Sequence, residues 1–178
     1  AVDTDEEAID AVKKFLSYMP SHSGETAPTA PVPPGADDRA CGVMDLLPTS
    51  RSQVYDVRKV IDLMADEGSL FELKGRFGKS MVTALARLGG RTVGFIANNP
   101  YFKGGAIDVD ACRKTTSFMV LCDSFNIPIV MLVDQPGFLI GLEGEKQWAP
   151  GRIMNWMNAL SLVTVPTVVV TLRKNYGQ

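Results

Sequence analysis

The stretch from Phe125 to Gly141 constrains this chain most: an unbroken apolar run ends abruptly at an acid, a proline and two glycines. Ile129 to Val133 contains no polar residue, so neither face of a strand built from it can point at water. That is the pattern of a central strand covered on both sides. Asp134 ends the run, Pro136 removes a backbone donor, and Gly137 and Gly141 permit a main-chain course that side chains obstruct. An isolated Pro-Gly is usually just a turn. In open α/β sheets, however, loops at strand carboxyl ends are where ligands sit.

Composition narrows the function classes. Among 178 residues, 46% are hydrophobic and 21% charged, the balance of a globular chain able to bury a core. A net charge of −2 gives no global attraction for nucleic acid. No apolar run approaches the ~20 residues that span a bilayer, and the amino end is acidic, unlike a signal peptide. A soluble protein of the cytoplasm is expected, with the mitochondrial matrix as the alternative. Cys41, Cys112 and Cys122 lack metal-ligand spacing and read as reduced thiols. The single histidine, His22, lies between two serines before a proline-rich segment and reads as a solvated linker residue. No Ser-His or Cys-His apparatus can be built with it there, and no metal site is expected. Any chemistry must lean on backbone donors or on a cofactor.

The spacing predicts a helix over Asp3 to Met19, capped by Thr4 or Asp5, with Ile9, Val12, Phe15 and Leu16 on one stripe. Residues 21–34 read as an extended proline-rich linker that wraps a surface or moves freely. A second helix follows Asp56 as cap, carrying Val57, Val60, Ile61 and Met64. Phe71 to Leu73 is a short strand. Met81 to Leu88 fits both a helical and an alternating period; Gly89-Gly90 followed by Thr92 to Ala97 decides for a hairpin. The next helix starts at Asp108 or Asp110 and runs to Phe125, burying Ala111, Thr115, Phe118, Cys122 and Phe125, with Cys112 and Lys114 off that stripe. Arg152 to Leu162 is a further helix, its Ile153, Trp156, Met157 and Leu160 forming core or a subunit contact. Thr167 to Leu172 is expected to be a third buried strand. Strand, helix, strand in this order is an α/β fold.

Asn98-Asn99-Pro100, Gly104 to Asp108, Asp134 to Gly141 and Thr171 to Gly177 stand in an order and at separations that resemble the carboxyltransferase (beta) subunit of the biotin-dependent acyl-CoA carboxylases. A Tyr55-Asp56-Val57-Arg58 turn adds to the resemblance. It implies a crotonase-like spiral of ββα units: residues 1–70 as the tail of an amino-side domain with linker, and 71–178 as part of the carboxyl-side domain that receives biotin. The activity implied is transfer of CO2 between carboxybiotin, carried on a protein, and the α-carbon of a short acyl-CoA. The alternatives are a malonyl-type decarboxylase subunit or a non-catalytic assembly module. Such transfer places negative charge on carbonyl oxygens, and a preorganised backbone N–H is worth roughly 3 kcal/mol at such an oxygen.

The resemblance further implies that Pro136, Gly137, Phe138, Leu139 and Gly141, with Gly104, Gly105 and Ala106, bind the cofactor, and that Gly177 and Gln178 supply part of a backbone oxyanion hole. It implies as partners a biotin carboxylase, a biotin carboxyl carrier and further copies of the chain in a dimer-based ring. The sequence departs from the pattern at Gln178, where the family has glycine, at Gln147-Trp148 in place of Gly-Gly, and at Gly151-Arg152 in place of Arg-His. Glu145 matches, as an orienting or, in preference, a solvated acid. A fragment of this length is expected to be inactive alone.

Overall fold

A computed structural model describes residues 2–35, 39–50, 52–139 and 141–176. Five strands form one sheet in sequence order: β1 (Phe71–Leu73), β2 (Met81–Leu88), β3 (Arg91–Asn98), β4 (Ile129–Gln135) and β5 (Thr167–Asn175). β1, β2 and β3 are antiparallel neighbours, whereas β3, β4 and β5 run parallel. Among the described residues the α-helices are α1 (Asp5–Leu16), α2 (Val43–Leu46), α3 (Val57–Met64), α4 (Val109–Ser124), α5 (Leu142–Lys146) and α6 (Ala149–Leu162). No helix among the described residues is long and apolar enough to cross a membrane.

Local chemistry sets most boundaries. Thr4, Asp56 and Asp108 each accept a hydrogen bond from a backbone N–H in the first turn of α1, α3 and α4, at 3.2, 3.0 and 2.8 Å. The Gly89-Gly90 link takes φ of 56° and 76°, the primed turn that suits the twist of paired strands. The β2–β3 hairpin, then α4, then β4, α6 and β5 give the ββα succession.

Each sheet face has its own core. On one side α4 lays Cys112, Phe118, Met119 and Cys122 over Ile96 and Ile129, with Trp156 of α6 beside them. On the other, α3 packs Val57, Val60 and Ile61 against Val82, Phe95 and Leu132. The proline-rich segment wraps the surface: Ala30 N–H donates to the Gly90 carbonyl at 2.8 Å, and the Asn126 side chain donates to the carbonyls of Ser23 and Glu25 at 2.6 and 3.0 Å.

Several expectations are corrected. α1 is shorter at both ends than Asp3 to Met19, and its Ile9, Val12 and Leu16 are exposed; Tyr18 and Met19, beyond its end, enter the core instead. Cys112 and Lys114 are buried, because α4 packs on the sheet and against α6 beside it and is covered around more of its circumference than one stripe. Lys114 satisfies its ammonium by donating to the Met81 carbonyl at 2.9 Å. β4 continues through Asp134 to Gln135, both fully buried. α6 begins at Ala149, with Pro150 in its first turn. β5 is not a buried strand: it is the sheet edge, and Val168 and Val169 are 58% and 57% exposed.

Candidate functional site

Because β3, β4 and β5 are parallel, their carboxyl ends share one rim of the sheet. The antiparallel β2 brings its start to the same rim, Met81 pairing with Asn98. After β3 the chain makes a tight turn through Gly104 and Gly105; after β4 it turns at Pro136-Gly137. The two turns are hydrogen bonded to each other: Ile107 N–H donates to the Gly137 carbonyl at 3.0 Å, and Leu139 N–H donates to the Ile107 carbonyl at 2.8 Å. An isolated parallel bridge joins Ile107 and Phe138. Tyr176, just beyond β5, donates its N–H to the Gln135 carbonyl at 3.3 Å, which brings the third strand end to the same place.

Two glycines are dictated by this crowding. At Gly105, φ is 85° and a Cβ would stand 2.5 Å from the Asp134 carbonyl oxygen. At Gly137, φ is 125° and a Cβ would lie 3.4 Å from the Tyr176 carbonyl oxygen. Both positions need a left-handed backbone, and Gly105 needs the close main-chain approach as well.

Beneath the turns lies a buried charge cluster. Asp134 has no exposed side-chain surface; its Oδ2 accepts from Arg173 Nε at 2.7 Å and from the Tyr55 hydroxyl at 2.8 Å. Lys174 Nζ sits 3.7 Å from Asp134 Oδ1 and donates to the Gly104 carbonyl at 3.3 Å. Asn98 accepts from Asp134 N–H at 3.3 Å and donates to the Gly105 carbonyl at 3.2 Å. Arg173 also donates to the carbonyls of Ser50 and Gln53 and lies 4.7 Å from the centre of the Tyr55 ring. Burial, then the hydrogen bond to Asp134 and its negative charge, push the Tyr55 hydroxyl well above its ordinary value, so it remains a donor.

An apolar cavity of about 380 Å³ adjoins the Pro-Gly-Phe turn, lined by Met131, Val133, Phe138, Trp156, Leu160 and Val169. Phe138 meets Trp156 edge to face, with centroids 5.6 Å apart. Leu139, Gly141 and Glu145 line a smaller hollow of about 150 Å³ with Ile153 at the start of α6. The amide nitrogen and oxygen of Gln135 and the indole nitrogen of Trp156 are buried without a hydrogen-bond partner.

Of the residues singled out by sequence, Gly104, Gly105 and Ala106 come together with Pro136, Gly137, Phe138 and Leu139. Gly141 caps α5 and Glu145 is exposed. Gly177 and Gln178 lie outside the described residues. Sequence reasoning did not find the roles of Tyr55, Asn98 and Asp134. The signal for them was an acid at the tip of one parallel strand and an Arg-Lys pair at the tip of the next. The two buried cysteines show no activation: burial pushes the Cys112 thiol up to about 11 and the Cys122 thiol up to about 12.

A mixed sheet built from ββα units, with backbone-rich turns gathered at the carboxyl ends of its parallel strands, is a crotonase-like architecture, and its solved neighbours agree. The chain superposes on the transcarboxylase 12S structure with methylmalonyl-coenzyme A and methylmalonic acid bound at a TM-score of 0.90 and 36% identity, covering 97% of this chain and 33% of that one. On a single-chain, multi-domain long-chain acyl-CoA carboxylase the TM-score is 0.81 at 34% identity, covering 93% of this chain and 16% of the other.

The sequence matches the carboxyl transferase domain over residues 1–178, and the chain belongs to that family. It is 39% identical to the methylmalonyl-CoA carboxyltransferase 12S subunit of Propionibacterium freudenreichii over 178 residues, covering 97% of this chain and 33% of the relative. It is 35% identical to the propionyl-CoA carboxylase beta chain of Roseobacter denitrificans over 177 residues, covering 99% of this chain and 35% of the relative. The chain thus spans about a third of the length of these relatives.

Proposed function

We propose that the polypeptide carrying this chain moves a carboxyl group between carboxybiotin, held on a carrier protein, and the α-carbon of a short acyl-CoA. The observation that carries this reading is the joining of the Gly104–Ala106 and Pro136–Leu139 turns, with Tyr176 alongside, into one main-chain surface at the sheet rim.

The residues fit such a cofactor. The apolar cavity beside Phe138 leaves room for a flat ring next to the Pro136–Leu139 turn. The buried Gln135 amide keeps a donor and an acceptor without partners, as a ureido group requires. Pro136, Gly137, Phe138 and Leu139 would hold it, with Gly141 and the Gly104–Ala106 turn at its border. When bound, carboxybiotin supplies activated CO2 and a basic ureido oxygen that can take the α-proton of the acyl thioester.

The chain's own part is electrostatic and steric. The N–H groups of Gly105, Ala106, Ile107 and Leu139 are bonded within and between the turns, so the donors to a developing oxyanion are assigned in this proposal to Gly177 and Gln178, which follow β5 in the chain. Phe138 and Trp156 exclude water on the apolar side, which strengthens those hydrogen bonds. A biotin carboxylase, a biotinylated carrier and further copies of the subunit in a dimer-based ring are the partners under this reading, in the cytoplasm. The division of the chain near residue 71 into an amino-side tail and a biotin-side domain belongs to the same proposal.

The test uses the full-length polypeptide with methylmalonyl-CoA and free biotin, following propionyl-CoA by chromatography. Biotin-dependent release is expected. Release at the same rate with and without biotin, or none from a folded protein that binds the thioester, contradicts the reading.

A further inference from the structure

The Asp134 side chain has no surface exposed to solvent, and it lies where four segments of the chain converge. Arg173 and Lys174 reach it from β5, Tyr55 from the segment before α3, and Asn98 from the end of β3. Its main chain is engaged no less than its carboxylate. The N–H donates to Asn98, and the carbonyl oxygen occupies the space that a Cβ at Gly105 would need. A carboxylate so deeply placed is tolerated only because it is paired and hydrogen bonded. Two cations meet one carboxylate, so the cluster carries a surplus positive charge just under the joined turns. Arg173 directs its guanidinium to Asp134 Oδ2 and the carbonyls of Ser50 and Gln53. Lys174 is the cation that bridges: its ammonium lies 3.7 Å from Asp134 Oδ1 and donates to the Gly104 carbonyl at 3.3 Å.

The geometry points to Asp134 as a positioning residue for carboxyl transfer, acting through Lys174 to hold the Gly104–Ala106 turn and the end of β5 at a fixed separation. This rests on the carboxyl-transfer reading above. Neither side chain touches the reacting atoms in this scheme. Their effect is to fix the spacing of the two segments that border the site, with the Lys174 charge favouring an anion held between them. Simple structural glue would lower stability and leave the kinetics of the folded protein intact.

Replacing Asp134 itself risks unfolding, so the test is made on Lys174 and Tyr55 in the full-length polypeptide. Kinetics with methylmalonyl-CoA and free biotin are measured for Lys174→Met, Lys174→Arg and Tyr55→Phe, together with amide hydrogen exchange over residues 103–107 and 173–176. Lys174→Met is expected to lower kcat about 100-fold while KM for the thioester stays within about 2-fold, and to speed exchange in both segments. Lys174→Arg is expected to restore most of kcat, and Tyr55→Phe to lower it less than about 10-fold. An unchanged kcat in Lys174→Met, a loss that arginine does not rescue, or faster exchange in one segment alone overturns the proposal. If the wild-type protein transfers no carboxyl group, the functional reading has failed. Exchange then decides the positioning claim by itself: loosening of both segments in Lys174→Met supports it, and loosening of one or neither overturns it.

Discussion

β4 and β5 are neighbours in one sheet, and their apolar runs, Ile129 to Val133 and Val168 to Val170, are similar in kind. Their surroundings are opposite. Ile129, Met131, Leu132 and Val133 are all buried, under α4 and α6 on one face and toward α3 on the other. The valines of β5 stand on an exposed edge. Burial is a property of what covers a strand, and composition states only what the strand tolerates. The charged residues follow the same division: Asp134 is sealed at the tip of β4, and the β5 cations turn toward it.

The largest expected effect removes the sealed charge. Asp134→Ala leaves Arg173 without its carboxylate and should destabilise the fold by about 3–5 kcal/mol in urea denaturation; a loss below about 1 kcal/mol breaks the distinction between the two strand ends. Next, Leu132→Ala in β4 should cost about 3 kcal/mol. Third, Gly105→Ala forces a side chain into left-handed backbone against the Asp134 carbonyl, for about 1–3 kcal/mol. The smallest sharpens the comparison directly: Val169→Ala in β5 should change the stability of this chain by less than about 0.5 kcal/mol.

A pH measurement probes the other buried charge. Burial pushes the Lys114 ammonium down from its ordinary 10.5 to about 8, with Glu72 opposing and Arg58 and Lys74 adding to the shift. The unfolded chain therefore holds that proton more tightly, and the destabilisation is fully present below about pH 8. Stability should rise as pH climbs from about 8 toward 10.5, and Lys114→Met should be more stable at neutral pH and lose this rise. A Met variant that keeps the same pH slope assigns the slope elsewhere.

Much of the fold was legible because local rules decide it. Thr4, Asp56 and Asp108 cap helices, Gly89-Gly90 turns a hairpin, and Ile129 to Val133 is central. The two glycine-containing turns were legible as candidates through their resemblance to carboxyltransferase motifs. What escaped depends on residues far apart in sequence. Asp134 looks like a strand terminator until Arg173, 39 positions later, is placed beside it. Lys114 looks like a surface lysine until the Met81 carbonyl, 33 positions earlier, is found above it. The exposure of β5 and of the α1 stripe was illegible for a different reason: an apolar residue reads the same whether or not another element covers it.

The most direct test compares biotin-dependent conversion of methylmalonyl-CoA to propionyl-CoA by the wild-type full-length polypeptide and by Gly137→Val, with both melting temperatures measured. If main-chain groups at the joined turns do the work, the wild type converts the thioester and the variant, still folded, is slower by about 100-fold. Equal rates in the two proteins would contradict the account.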